Sequence, residues 1–168
     1  YILAENLGSL GLISNFSDSQ ADNFRKRLES QSIQPLMIGS RTFKQVHLSD
    51  IDVNTMTDHP QFRQHFTKLV RTMQIGDRLG YRDICTFTFA WPGEYTTGSP
   101  KSTGSPTWPM RWITRGGIIS RNEMDKLEKA FSLMIEEAER YDVNLVLMKM
   151  PCNYTNTSKN FRRIVERL

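Results

Sequence analysis

The sequence contains few of the residues from which cross-linked or metal-bound cores are built. It has two cysteines in 168 residues, Cys85 and Cys152, which lie far apart and form no CxxC pair. This excludes a disulfide framework and a thiolate zinc cage. No stretch approaches the roughly 18 consecutive apolar residues that a membrane-spanning helix needs. We therefore expect neither a small disulfide-rich domain nor a transmembrane protein.

Dense runs of basic residues are also missing. There are 22 Lys and Arg residues against 18 Asp and Glu residues, which gives a net charge of +4. Proteins that bind the phosphate backbone usually concentrate more positive charge than this, so nucleic-acid binding is permitted but not favoured. The 38% hydrophobic and 24% charged residues are typical of a globular domain.

The length is that of one ordinary domain, and we predict a single α/β domain over residues 1–168. The sequence begins at Tyr1 rather than at Met and ends on the helical pattern "FRRIVERL" without a C-cap. From these ends we expect a domain excised from a larger protein.

Helix signals are clear at four places. Ser17 with Gln20, and Ser120 with Glu123, form capping-box patterns ahead of amphipathic segments. A further helix is predicted from Pro60 to Gly76, and a last one from Ser158. The apolar stripe of the helix after Ser120 is the most regular, and it consists of Met124, Leu127, Phe131, Met134 and Ala138.

Strand signals lie between these helices. The segments "LMIG" and "TFKQVHL" predict a strand pair, and "YRDICTFTFAW" alternates as a half-buried strand does. "MRWITRGGII" is predicted to pair with that strand across a flexible loop of Gly, Pro, Ser and Thr at residues 92–109. "VNLVLMKM" has the continuous apolar character of a buried central strand. These elements predict an α/β sandwich with a mixed, mostly antiparallel sheet of about five strands and amphipathic helices packed on it.

Three aspartates follow one predicted strand. Asp50, Asp52 and Asp58 are carboxylates of the kind that hold Mg²⁺ in nucleases and phosphatases, so a metal-dependent phosphoester hydrolase is one hypothesis. No Gly-rich phosphate cradle accompanies them, and a solvated turn is the favoured interpretation.

Basic and aromatic residues gather in two places. Lys101, Arg162 and Arg163, with the tryptophans, could form a surface that stacks unpaired bases, which makes a single-stranded RNA-binding module a second hypothesis. The favoured interpretation is that the arginines are the wet face of the last helix. At the exit of the predicted loop, Trp108, Arg111 and Arg115 are of the types enriched at protein interfaces and are our candidate partner-binding residues.

Catalytic motifs do not stand out. Gly116 and Gly117 belong to neither GxGxxG nor GxxxxGK, and no serine lies in GxSxG. Cys85 lies on the face of its strand that is expected to be buried, where a thiol behaves as a small hydrophobe. We therefore expect no catalytic residue and no cofactor.

Residues 111–151 carry a longer pattern. "RWITRGGII" is followed by a long amphipathic helix and by "EEAERYDVNLVLMKMP", and "HLSDIDVN" stands earlier in the chain. This pattern resembles the C-terminal region of the large DEP-domain subunit of the GATOR (SEACIT) complex, which restrains TOR signalling by acting on Rag-type GTPases. The residues that match its aromatic strand, its AER-like triplet and its LxLV-type strand are Trp112, Ala138, Glu139, Arg140, Leu145 and Val146. Met134 departs from the family, which tends to have Trp there.

The resemblance implies a structural region, since GTPase activation in that complex belongs to another subunit. Together with the missing catalytic motifs, it predicts a non-catalytic scaffold or interaction domain of a large regulatory protein whose partners are other protein subunits. We expect a cytoplasmic protein, and the resemblance adds the lysosome or vacuole surface as a peripheral location through its complex.

Overall fold

The computed structural model describes residues 2–91 and 117–168, in which strands and helices alternate along the chain. The elements are β1 (Ile2–Ala4), α1 (Asp18–Ser30), β2 (Pro35–Gly39), α2 (Pro60–Leu79), β3 (Asp83–Phe87), α3 (Arg121–Arg140), β4 (Asn144–Met148) and α4 (Ser158–Val165). Short 3-10 helices are present at Gly8–Leu10, Ile13–Asn15, Leu48–Asp50 and Met56–Asp58.

The four strands form a parallel sheet in the order β1-β2-β3-β4. Leu3 pairs with Met37 and Ile38 pairs with Ile84. A parallel pair needs a long crossover between its strands, and α1, α2 and α3 each lie in one of these crossovers. The predicted α/β class is confirmed, whereas the prediction of a mostly antiparallel sheet of about five strands is wrong.

Two strand predictions account for most of that error. The segment "TFKQVHL" is a turn in the structure, where Phe43 has a φ of 64° and only His47 forms an isolated bridge, to Ala90. The predicted hairpin across residues 92–109 falls outside the described residues, as does "MRWITRG" up to residue 116. Residues 117–119 of that predicted strand are neither helix nor strand.

The strand at "VNLVLMKM" exists but is not central. As β4 it lies at one end of the four described strands, and its residues are half-buried or exposed. The continuous apolar run of Leu145, Val146 and Leu147 therefore does not mark a central strand. It belongs to a strand at the end of the described order whose apolar side chains are only partly buried.

The predicted helix starts are confirmed. The Ser17 hydroxyl accepts a hydrogen bond from the Gln20 N–H at 3.2 Å, and the Gln20 side chain accepts one from the Ser17 N–H at 2.8 Å. Ser120 and Glu123 form the same reciprocal pair at the start of α3. Helix α4 begins at Ser158, as predicted, and its cap is Thr157.

Packing divides the described residues into two compact units. The first comprises residues 2–42, 63–86 and 133–147. Its core includes Ile38 and Ile84 of the sheet and Leu69 and Met73 of α2, all fully buried. A Cβ atom at Gly76 of α2 would lie 2.7 Å from Cδ1 of Ile84, so a larger residue there would require the Ile84 side chain to shift.

The second unit comprises residues 43–62, 87–91, 117–132 and 148–168. Three phenylalanines form its centre. The ring centroid of Phe43 lies 5.4 Å from that of Phe62 and 5.0 Å from that of Phe89. Such tilted aromatic pairs add specific geometry to the burial of large apolar side chains.

The stripe predicted for the helix after Ser120 is buried throughout. We expect Phe131→Ala to lower the free energy of unfolding by about 3–5 kcal/mol, because it deletes a side chain that is only 3% exposed and leaves a cavity. The exposed Lys129→Ala on the same helix is the control and should change stability by less than about 0.5 kcal/mol. Urea titrations of both variants provide the measurement. Equal stabilities would contradict a core position for Phe131.

Candidate functional site

The three aspartates of the metal hypothesis lie in exposed turns. The Ser49 hydroxyl donates to the Asp50 carboxylate at 2.8 Å, and the Asn54 N–H donates to the Asp52 carboxylate at 2.8 Å. Across residues 2–91 and 117–168, no group of three or more His, Cys, Asp or Glu side chains is placed to hold a metal ion. The structure therefore does not bring Asp50, Asp52 and Asp58 together, and two of them stabilise local turns.

The basic residues of α4 are partly used within the protein. Arg162 forms an ion pair with Glu166 at 2.7 Å, which raises the pKa of its guanidinium through a hydrogen bond and the carboxylate charge. Arg167 pairs with Glu128 at 2.6 Å. Arg163 is half-buried. Arg162 of α4, and Arg167 just beyond the end of that helix, therefore have acidic partners, as expected for the wet side of an amphipathic helix.

The remaining candidate residues lie outside the described ranges. These are Lys101 of the RNA hypothesis and the partner-binding candidates Trp108, Arg111 and Arg115. Their roles stay predictions.

A buried polar cluster, which the sequence did not reveal, joins three chain segments of the second unit. The Asn153 side-chain amide donates to the carbonyl oxygens of Lys44 at 2.9 Å and Thr88 at 2.8 Å. Around it, backbone bonds run from Ala90 to Val46 and from Trp91 to Cys152. Asn153 thus connects the segments 43–48, 88–91 and 152–155, which follow β2, β3 and β4 along the chain.

Charged groups of α3 complete this cluster. The Tyr154 hydroxyl donates to Glu123 at 2.8 Å, and the buried Lys126 ammonium donates to the Leu48 carbonyl at 2.8 Å. Burial, together with the bond to Glu123, raises the pKa of Tyr154. Burial also raises the pKa of Glu123, but hydrogen bonds from Ser120 and Tyr154 outweigh it and the net pKa is lowered. These groups are therefore engaged in holding α3 to the neighbouring loops.

A second polar cluster follows β2 in the first unit. The hydroxyls of Ser40 and Thr42 lie 2.7 Å apart, and that of Thr42 lies 3.2 Å from the hydroxyl of Thr86. All three residues are buried. Arg41, between them, has a φ of 55° and pairs with Glu5 at 3.1 Å. The hydroxyl chain fixes a turn whose backbone most residues avoid.

Ion pairs join α1 to α2 in the same unit. Arg78 binds the Asp22 carboxylate through two nitrogens, at 2.6 and 2.7 Å, and Arg71 binds Asp18 at 2.7 Å. These bonds lower the pKa of both aspartates. The ion pairs orient the two helices, and the carboxylates of Asp18 and Asp22 are bound to arginines of the protein itself.

Strand β4 presents a different kind of surface. Strands of parallel sheets are commonly covered on both faces and buried. In β4 the apolar residues Leu145, Val146 and Leu147 are only half-buried, and Met148 is 38% exposed. Apolar area that remains accessible on such a strand marks it as a candidate interaction surface.

Comparisons with protein-family models and with curated proteins find no match for this chain. The resemblance of residues 111–151 to the DEP-domain subunit therefore stays a prediction. Of the helices in the described parts of the chain, none has both the length and the apolar character required to cross a bilayer.

Cys85 is a buried thiol in β3. Burial, and to a lesser degree the charge of Glu5, raises the pKa of its thiol to about 11. Burial likewise raises the pKa of Tyr81 to about 12. Both groups are neutral at physiological pH, which agrees with the core role expected for Cys85.

These two shifts predict a loss of stability in alkali. Because the folded pKa values exceed the unfolded ones, the unfolded state loses protons first as the pH rises. The free energy of unfolding should therefore fall between about pH 9, where the unfolded Cys85 thiol begins to ionise, and about pH 12, the folded pKa of Tyr81. Cys85→Ala should make that fall smaller, as measured by urea titrations at pH 8 and pH 10.5, with Tyr81→Phe as a parallel variant. An unchanged pH dependence in both variants would show that neither group is protonated in preference in the folded state.

Proposed function

We propose that this chain is a non-catalytic interaction domain of a larger intracellular regulatory assembly. The observation that carries the proposal is the incomplete burial of β4, whose apolar residues lie at the end of the described sheet. A second protein subunit that packs on this strand would remove that apolar area from water, which is the main favourable term in association.

The use of the charged side chains supports the same proposal. Lys126, Glu123 and Arg78 each bind an internal partner, a carbonyl, a tyrosine hydroxyl or a carboxylate. Their donors and acceptors therefore serve the fold. A domain that binds its partner through the shape and apolar character of its surface does not need these charged groups to be free.

The resemblance gives the proposal its finer form. The LxLV-type strand of the family falls on β4 in this chain, at Leu145 and Val146, so the matched residues and the accessible strand coincide. We infer a role like that of the structural subunit of a complex that restrains TOR signalling through Rag-type GTPases. Its location would be the cytoplasm, peripheral at the lysosome or vacuole surface through that complex.

A substitution at the end of β4 tests the proposal. Met148→Lys in the full-length protein should lower the amount of co-purified protein subunits by at least about tenfold, because it places a charge in a desolvated interface. Val165→Lys is the matched control, since Val165 is also an exposed apolar residue, 50% accessible, on α4. Affinity purification under near-physiological salt, with the subunits quantified by mass spectrometry, provides the measurement.

Equal recovery of subunits with both variants would contradict β4 as the interface. Specific co-purification of RNA in place of protein subunits would favour the RNA-binding hypothesis. Mg²⁺-dependent phosphoester hydrolysis that is lost on substitution of Asp52 would favour the hydrolase hypothesis. Either result would overturn the proposed function.

A further inference from the structure

A cleft of about 600 Å³ lies in the first unit, where α1 and α2 end and β2 begins. Its walls include Glu29 of α1, Ile33 and Pro35 before and at the start of β2, and Asp77 and Gly80 at the end of α2. The volume is within the roughly 300–1,000 Å³ of typical ligand sites. It is large enough for a few amino-acid side chains.

The two helices end at this cleft in the same way. The Ile33 N–H donates to the Leu28 carbonyl at 2.9 Å, and the Tyr81 N–H donates to the Gly76 carbonyl at 2.9 Å. The residues before these donors, Ser32 and Gly80, have positive φ values of 51° and 77°. Both ends are thus Schellman motifs, and both direct the negative end of a helix dipole toward this region.

The ionisable side chains of the cleft are acidic on balance. Arg25 pairs with Glu29 at 2.9 Å, and its guanidinium also donates to the Arg78 carbonyl at 3.4 Å. Asp77 is exposed, and its carboxylate forms no hydrogen bond or ion pair with any residue in the described ranges. The cleft therefore holds two carboxylates and two helix carboxyl ends against one guanidinium, which is paired with Glu29. This arrangement favours a positively charged ligand.

Apolar residues form part of the rest of the cleft, beside the polar residues Ser32 and Gln34. Leu28, Ile33, Pro35 and Leu79 contribute to its walls, and Ile33 is 37% exposed. Pro35 is half-buried. An acidic site whose walls are partly apolar suits a long basic side chain, which lays its methylene stem on apolar surface and extends its charged head to a carboxylate.

We infer that this cleft binds a peptide segment of a partner protein in which an Arg or Lys residue is flanked by aliphatic residues. The inference rests on the proposed function and adds to it the chemistry of the partner. The basic head lies near Asp77, and the aliphatic neighbours contact Ile33 and Pro35. The surface is separate from β4, so the two sites are tested independently.

Two synthetic tetrapeptides test the inference on the whole chain. Acetyl-Leu-Arg-Leu-Lys-amide should shift the backbone amide NMR signals of Ile33 and Gly80 in a saturable manner, with a Kd on the order of 0.1–1 mM. Acetyl-Leu-Glu-Leu-Glu-amide, which has the same apolar residues, should give no saturable shifts there. Saturable binding of both peptides, or of neither, would overturn the inference.

A charge reversal locates the contact. Asp77→Lys should weaken binding of the basic peptide by about tenfold or more, because it replaces attraction with repulsion. The variant should still fold, since a lysine near a helix carboxyl end is favourable. Glu139→Lys on α3 is the matched control, because Glu139 is an exposed helical carboxylate outside the cleft, and it should retain the parent affinity. Equal weakening by both variants would mean that the affinity follows the overall charge of the protein and not a contact at residue 77, which would contradict a site at Asp77.

The results separate the two proposals. If the basic peptide binds at the cleft while Met148→Lys leaves subunit assembly intact, the cleft stands and the β4 interface fails. If Met148→Lys abolishes assembly and the basic peptide does not bind, the cleft fails and the proposed function stands.

Discussion

Parallel strand pairing is the constraint on which the rest of this structure depends. Neighbouring parallel strands need a crossover, and the helices in these crossovers return against the strand direction. The ends of α1 and α2 therefore come to the start of β2, where they bring two dipole ends, Asp77 and an apolar wall into one cleft. The segments that follow β2, β3 and β4 in turn form their own hydrogen-bonded unit, with Asn153 at its centre.

Many polar side chains of this protein form hydrogen bonds within the fold. The accessible apolar surface is therefore a better indication of where a partner binds. Buried polar groups are costly unless they are paired, and the Asn153 amide nitrogen, Lys126 and Tyr154 pair with backbone or side-chain groups of other segments, whereas the Asn153 side-chain oxygen is buried without a partner among the described residues. Carboxyl ends of parallel strands are the usual place for a ligand. In this chain the hydroxyls of Ser40, Thr42 and Thr86 bond to one another there. Strand β4 and the cleft at the start of β2 are two surfaces with accessible apolar side chains, and the cleft also has the exposed carboxylate of Asp77.

Local signals were sufficient for the helices but not for the sheet. Capping boxes at Ser17 and Ser120 and the stripe that contains Phe131 depend on residues three or four apart, so the sequence predicts them well. Strand β1 has only three residues, too few for a periodic pattern, and without it the alternation of strands and helices is hidden. The roles of Asn153 and Lys126 depend on carbonyl groups far away in the sequence, such as that of Leu48, which every residue possesses and no pattern marks. The partner-binding candidates Trp108, Arg111 and Arg115 depend on a loop beyond the described residues.

The central claim is that the chain binds its partners through strand β4 and the cleft at the start of β2. The segments that follow the strands β2, β3 and β4 are not expected to take part in binding. Amide hydrogen exchange of the full-length protein, alone and within its native assembly, tests this claim most directly. The account predicts that assembly slows exchange at residues 144–148, with a second protected region at 29–35 and 77–80, and leaves the segments 39–43, 88–91 and 152–155 unchanged. Protection confined to those three segments would place the functional site at the carboxyl ends of the strands and would contradict the account.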